Sequence, residues 1–121
     1  MTDRKGTDAK LVAKVFNYRD IVAYQEGSIV SRTIIDNDEG TVTVFAFDDD
    51  QRLSTHSAPF DALVQIVEGT SIITIEENTF EITAPGAIIM PADKPHSVAG
   101  KGRFKMVLTM IRFKKVKQDS H

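Results

Sequence analysis

The chain has 121 residues, a formal net charge of −2 and no cysteine. This length suits one domain with a single hydrophobic core, and the nearly balanced charge argues against nucleic acid as a partner. The absence of cysteine excludes disulfides and thiolate metal sites. The N-terminal residues lack the apolar core of a signal peptide and no run reaches the length of a membrane span, so we expect a cytoplasmic protein without a membrane partner.

The first half of the chain predicts a leader followed by two strands. Residues 1–10 are mostly charged or polar, which is typical of a flexible N-terminal leader. The β-branched residues of segment 28–36 predict a strand. A polar turn at 36–40 then leads into segment 41–47, where alternating threonine and apolar residues predict a second strand.

The second half of the chain is a succession of short strands separated by turns. Strands are predicted at residues 62–67, 71–75, 79–82, 87–90 and 104–112. Four large apolar side chains share one face of the last strand, namely Phe104, Met106, Leu108 and Met110. This succession of short strands with almost no helical periodicity predicts an all-β fold, an antiparallel double-sheet barrel. We place this barrel domain at residues 11–113 and a flexible tail at 114–121.

A stretch that begins at His56 carries the first of two recognisable motifs. Segment 56–69, HSAPFDALVQIVEG, resembles the first signature motif of the cupin superfamily, in which two histidines and a glutamate precede a glycine. When that glycine is anchored on Gly69, the first family histidine aligns with His56. The second family histidine then aligns with Ala58, and the family glutamate aligns with Ala62.

The second motif ends at His96. Segment 85–96, PGAIIMPADKPH, resembles the family pattern of a glycine, a strand, a proline, a turn and a closing histidine. Pro91 and His96 match this pattern, whereas Gly86 sits one place later than usual and Asp93 stands where a turn glycine is usual. The resemblance covers most of the chain and implies a jelly-roll barrel, also called a double-stranded β-helix. It implies no single function, because the superfamily holds enzymes, binders, storage proteins and sensor domains.

The resemblance also raises the question of a metal, which cupins hold with three imidazoles and one carboxylate. By this comparison His56 and His96 occupy two ligand positions, while Ala58 and Ala62 occupy the other two and have no lone pairs to give. Two neutral nitrogens make a weak and poorly selective site, so the resemblance implies a divalent transition metal that is bound loosely. The alternative is that both histidines are polar groups of a pocket that bind a ligand, water or the backbone.

Alanine at two ligand positions would leave an enlarged and apolar interior. We therefore interpret the protein as a barrel that binds a small, mostly apolar molecule. The predicted pocket residues are His56, Ala58, Ala62, Val64, Met90, His96 and Met106. Two alternatives stay open: a metal-dependent dioxygenase, isomerase or decarboxylase with its metal on His56 and His96, and an interaction or sensor module. No catalytic residue is assigned.

Apolar residues on both faces of segment 28–36 predict self-association. The side chains of Ile29, Val30, Ile34 and Ile35 cannot all point into one barrel, because successive strand residues face opposite sides. A second copy of the chain that covers the outer set would give a two-fold homodimer, which is the commonest closed symmetry.

Overall fold

The structure is a computed structural model that describes residues 6–112. The predicted tail at 114–121 lies outside the described residues. Across residues 6–112 the chain forms two short 3₁₀ helices, Ala9–Leu11 and Tyr18–Asp20, and nine strands. The strands are β1 (Ile29–Asn37), β2 (Gly40–Phe47), β3 (Leu53–His56), β4 (Asp61–Glu68), β5 (Thr70–Ile75), β6 (Asn78–Thr83), β7 (Ala87–Met90), β8 (His96–Gly100) and β9 (Phe104–Ile111). No helix in this part of the chain is long and apolar enough to cross a membrane.

The strands form two antiparallel sheets that pack face to face. Strands β1, β2, β9, β4 and β7 lie side by side in a five-stranded sheet, and β3, β8, β5 and β6 form a four-stranded sheet. The predicted all-β class and double-sheet jelly-roll barrel are therefore confirmed. Alternation explains the arrangement, since every second residue of a strand points to the same side and can be buried between the sheets.

The barrel has two ends that differ in their loops. Loops 57–60 and 91–95 lie at one end, which we call the mouth; here β3 ends and β8 begins. Loops 48–52 and 101–103 lie at the opposite end, which we call the packed end; here β2 ends and β9 begins. The distinction matters because the two sequence motifs both bring a histidine to the mouth.

Apolar side chains from both sheets fill the interior. The buried members of this core are Phe47, Ala62, Val64, Ile66, Ile73, Met90, Val98, Phe104 and Met106. At the packed end the rings of Phe47 and Phe104 stack with their centroids 4.4 Å apart. Gly69 turns the chain from β4 to β5 with a φ of 80°, and a Cβ there would collide with the backbone carbonyl oxygen of Arg103. Only glycine allows this close turn.

The outer face of the five-stranded sheet carries a second apolar cluster. Its buried members are Val22, Ile34, Val44, Ala46 and Val107. Val30 joins this cluster, Ile29 packs inside the barrel, and Ile35 stays exposed. Leu11 and Tyr18, which precede β1 in the same chain, cover the cluster. Most of the outer side of β1 is therefore covered within the same chain, and the homodimer stays a prediction.

Polar contacts fasten this covering segment to the sheet. The hydroxyl of Tyr24 donates to Glu68 at 2.6 Å, and burial together with this bond raises the pKa of Tyr24. The ammonium of Lys105 donates to the carbonyl of Arg19 at 2.7 Å, although Lys105 is only 8% exposed. A buried lysine needs such a partner, because an unpaired buried charge is costly.

The described part of the predicted leader lies along the edge of β1. Thr7 forms a β-bridge with Ile35, and the backbone N–H of Asp8 donates to the carbonyl of Ile34 at 2.9 Å. The carboxylate of Asp8 accepts a hydrogen bond from Arg32 at 2.9 Å. Residues 6–10 are thus bonded to the barrel, while the predicted domain bounds stay a prediction.

Candidate functional site

His56 and His96 form a pair across two neighbouring strands at the mouth. His56 ends β3, His96 begins β8, and their Cα atoms are partners in the antiparallel ladder. Directly paired residues carry their side chains on the same face, and the two ring centroids lie 4.5 Å apart with the ring planes at 72°. Val98 lies two residues after His96, on the same face, and belongs to the core. The histidine pair therefore faces the barrel interior.

Hydrogen bonds to the backbone fix the tautomer of both rings. Nδ1 of His56 lies 2.9 Å from the carbonyl oxygen of Ser54, and Nδ1 of His96 lies 3.0 Å from that of Lys94. A carbonyl oxygen only accepts, so each Nδ1 must carry the hydrogen and donate it. A neutral ring in this state has an unprotonated Nε2 that accepts. Within residues 6–112 no hydrogen bond reaches either Nε2 atom.

The two histidines differ in their exposure to solvent. His56 is exposed, whereas His96 is only 4% exposed. Burial lowers the pKa of His96, and the neighbouring His56 lowers it further, while the bond to the carbonyl of Lys94 acts in the opposite direction. Burial has this effect because the charged form loses more hydration than the neutral form. His96 is therefore a neutral imidazole at neutral pH.

The apolar residues predicted for the pocket point inward at two depths. Ala62 and Met90 are Cα partners near the mouth, in β4 and β7, and each is 3% exposed. Val64 and Met106 lie further in and are fully buried in the core. The structure thus places Ala62 and Met90 at the histidine end of the barrel, and Val64 and Met106 within the packed interior. That they enclose a ligand stays a prediction.

Hydrogen bonds between the two mouth loops position both histidines. The backbone N–H of Asp93 donates to the carbonyl of Ala58 at 2.7 Å, and that of Ala92 donates to the carboxylate of Asp61 at 2.9 Å. Asp93 has a φ of 65°, which explains why the family motif has a turn glycine here. Aspartate tolerates this left-handed conformation better than most residues. The departure from the motif therefore keeps the turn, and Ala58 lies in a loop beside it.

One polar group of the interior escaped the sequence analysis, namely the hydroxyl of Thr41. Its Oγ1 is buried and has no hydrogen-bond partner among the described residues. Thr41 and Met110 help to line a cavity of about 190 Å³ at the rim of the barrel, and neither histidine lines this cavity. The alternation of segment 41–47 puts Thr41 on the same face as Phe45, a residue that packs against the core. That alternation is the sequence signal from which the inward direction of the Thr41 side chain could have been predicted.

The donors at the mouth do not fit a tightly held metal. His56 and His96 supply two imidazoles, whereas Ala58 and Ala62 stand where the family motif has a third imidazole and a carboxylate. In the part of the chain that the structure describes, no group of three or more His, Asp or Glu side chains is placed to hold a metal ion. Tight sites have three or four protein ligands, so this mouth falls short of one.

Proteins of known structure share this fold. The chain is similar to a conserved protein of unknown function from Streptococcus pyogenes, with 29% identity and a TM-score of 0.86 over 93% of this chain and 99% of that one. It is similar to a cupin superfamily protein from Desulfitobacterium hafniense, with 27% identity and a TM-score of 0.74 over 76% of this chain and 84% of that one.

A third similar structure is a cupin 2 conserved barrel domain protein from Leptotrichia buccalis. The identity is 32% and the TM-score is 0.78 over 80% of this chain. The matched part is 47% of the Leptotrichia buccalis protein, so this chain spans about half of that protein's length. The sequence matches no protein-family profile and no curated protein. The double-sheet barrel, the two motif segments and the likeness to solved cupins agree, and the chain belongs to the cupin superfamily.

Proposed function

We propose that this protein binds a small, mostly apolar molecule in the mouth half of its barrel. The observation that carries the proposal is the pair of rings 4.5 Å apart, His56 and His96, that faces the interior. Each ring has its Nδ1 bonded to the backbone and its Nε2 without a hydrogen bond among residues 6–112. Thr41 Oγ1 is the one fully buried side-chain polar atom without a partner among the described residues, so Nε2 of His96, like that of the exposed His56, is accessible to a ligand, and a donor that bonds either atom gains affinity.

The apolar residues at the histidine end of the barrel support an apolar ligand. Ala62 lies where the family motif has a carboxylate, and its buried methyl group is apolar. Met90 lies opposite Ala62, and the flexible methionine side chain adapts to irregular shapes. An apolar wall with a few converging polar groups is typical of small-molecule sites.

A metal-dependent cupin enzyme of the dioxygenase, isomerase or decarboxylase type is the second candidate. The observation that favours it is the shared state of the two rings, because an unprotonated Nε2 is an atom through which histidine binds metals. Two such ligands hold a divalent transition metal only weakly, so we rank this candidate below the binder. An interaction or sensor module, whose barrel serves only to dimerise, is the third.

We also propose that the protein works in the cytoplasm as a homodimer. The lack of cysteine suits a reducing compartment, and two-fold dimers are the commonest assemblies of soluble proteins. Light scattering coupled to gel filtration should report about twice the monomer mass. A single peak at the monomer mass would contradict the homodimer.

Uptake of a neutral apolar dye, N-phenyl-1-naphthylamine, tests the leading proposal. The wild-type protein should enhance the fluorescence of the dye in a saturable way. Ala62→Phe should abolish this uptake because the ring fills the mouth half of the interior, at a cost of about 1–3 kcal/mol in the free energy of unfolding.

The matched control is Ala87→Phe, the same substitution at an exposed position of β7. It should leave uptake unchanged, because Ala87 points away from the interior. Unchanged uptake in a folded Ala62→Phe protein would place the binding site elsewhere. Elemental analysis of the purified wild-type protein separates the first two candidates, since a stoichiometric metal would favour the enzyme.

A further inference from the structure

The backbone bonds of the two mouth histidines restrict the chemistry that a ligand can offer them. In both rings Nδ1 donates to the carbonyl of the residue two places earlier in the chain, at 2.9 Å for His56 and 3.0 Å for His96. The same local geometry thus recurs on two strands that are far apart in sequence. Because a carbonyl cannot donate, Nδ1 carries a hydrogen in both rings, and in the neutral form of each ring Nε2 is therefore an acceptor.

The arrangement also disfavours a positive charge on both rings at once. Charges on both rings would lie about as close as their centroids, which are 4.5 Å apart, and His96 is almost fully buried. The basic residue next to this site in the chain, Lys94, is half exposed and lies 3.9 Å from Glu76. A carboxylate that approaches the neutral rings would therefore meet a lone pair on each Nε2 atom.

We propose that the ligand is an uncharged molecule with an apolar body and one O–H or N–H donor, such as a phenol. The donor bonds Nε2 of His96 or of His56, and the apolar body lies against Ala62 and Met90. This inference rests on the proposed function and adds the class of ligand to it. It also states what the site rejects: carboxylates and other anions, which bring acceptors only.

Three probes of nearly the same shape test the inference: 2-naphthol, 2-methoxynaphthalene and 2-naphthoate. At pH 7.5 the first is a neutral donor, the second has no donor, and the third is an anion. Isothermal titration calorimetry should give wild-type protein a dissociation constant for 2-naphthol roughly tenfold lower than for the methyl ether, the value of one hydrogen bond. The naphthoate should bind more weakly than 2-naphthol.

Two variants assign the preference to the rings. His96→Leu should bind 2-naphthol and 2-methoxynaphthalene equally, because the acceptor is gone and the apolar surface remains. His56→Leu changes an exposed side chain and provides a folded variant if His96→Leu does not fold. At least one of the two should lose the preference; a roughly tenfold preference kept in both would overturn the inference.

A second readout observes the tautomers directly. Two-bond ¹H–¹⁵N correlation spectra of the wild-type protein at pH 7.5 should show both rings protonated on Nδ1 and unprotonated on Nε2. A hydrogen on Nε2 of both rings would overturn the inference, as would a stoichiometric metal that survives dialysis against a chelator, since the metal would occupy the same atoms.

The outcomes separate this inference from the proposed function. If wild-type protein takes up N-phenyl-1-naphthylamine but binds the methyl ether or the naphthoate as tightly as 2-naphthol, the ligand class is wrong and the binding function stands. If neither the dye nor any naphthalene binds, the proposed function fails and this inference fails with it.

Discussion

The two ends of the barrel are built from the same strands, yet their polar side chains differ in hydrogen bonding. At the packed end the fully buried hydroxyl of Ser71 donates to the carbonyl of Ala99 at 2.8 Å, among side chains such as Phe47 and Phe104 that are fully buried. At the mouth the buried hydroxyl of Thr41 has no partner among the described residues. There, too, Nε2 of His96 is left without a hydrogen bond in the described chain.

This difference indicates that the two ends of the barrel have different roles. Nearly all buried polar groups in folded proteins are hydrogen-bonded, so an unbonded one needs an explanation. The packed end meets this rule and stabilises the fold. The mouth departs from it at the hydroxyl of Thr41. The mouth also has the Nε2 acceptors of His56 and His96 at the same end of the barrel as the apolar residues Ala62 and Met90, and such a combination is typical of binding sites. The predictions below test this division, from the largest expected effect to the smallest.

Phe104→Ala at the packed end should have the largest effect on stability. It removes a fully buried ring stacked on Phe47, and such truncations cost about 3–5 kcal/mol. Met110→Ala at the mouth is the control. Because Met110 is only partly buried, this substitution should lower the free energy of unfolding by less than about 2 kcal/mol. Urea unfolding followed by circular dichroism measures both. Equal losses would mean that the two ends contribute alike to stability.

Restoring the family ligands should have the next largest effect, and it acts at the mouth alone. Ala58→His combined with Ala62→Glu should raise the affinity for a divalent transition metal by roughly 100-fold or more, since each added ligand binds a cation already held nearby. Elemental analysis after dialysis against a mild chelator should find little metal in the wild type and stoichiometric metal in the double variant.

The controls for this experiment are His56→Ala and His96→Ala. Each should lower any residual metal that the wild type retains. Stoichiometric metal in the wild type and in both single variants would place the metal site elsewhere. If the double variant gains no metal, the alignment of Ala58 and Ala62 with ligand positions is wrong.

The sequence predicts the barrel well because its signals are local. Alternation in the last strand identifies the inward side of Phe104 and Met106, and the two motif segments identify His56 and His96 as mouth residues. The pairing of the histidines could be expected only from the family resemblance. Residues 57–95 separate β3 from β8 in the sequence, and no local pattern shows that the two strands are neighbours.

Other features follow from contacts that no local pattern encodes. Lysine is rarely buried, so nothing in the sequence marks Lys105 as a buried donor to the carbonyl of Arg19. The covering of the outer face by residues before β1 depends on where the chain folds back. The acceptor state of both imidazoles depends on single backbone bonds, which a sequence motif does not specify.

Thr41→Val should stabilise the protein by about 1 kcal/mol, because a methyl group of the same shape replaces a buried hydroxyl without a partner in the described chain. Thr43→Val is the matched control in the same strand. The Thr43 hydroxyl lies 3.1 Å from that of Thr33, so its loss should not stabilise the protein. Thermal unfolding measures both variants. If Thr41→Val destabilises the protein instead, a bound molecule satisfies that hydroxyl in solution.

The pH dependence of stability should show a smaller effect from His96. Folding lowers the pKa of this residue below the ordinary 6.5, so the unfolded chain binds the proton more tightly. The stabilisation is therefore complete above about pH 6.5 and is lost as the pH falls from there through the folded pKa. The midpoint of urea unfolding should decrease more between pH 7.5 and pH 5 for the wild type than for His96→Gln, because glutamine cannot take up a proton. Equal falls would contradict the prediction.

The measurement that tests the account most directly is a titration of ¹⁵N-labelled wild-type protein with 2-naphthol, followed by two-dimensional NMR. We expect the amide signals of Ala62, Met90 and His96 to shift in a saturable way, while those of Ser71 and Phe104 at the packed end stay in place. Shifts confined to the packed end or to the outer face of the barrel would contradict the claim that the mouth is the binding site. An absence of saturable shifts anywhere would contradict it equally.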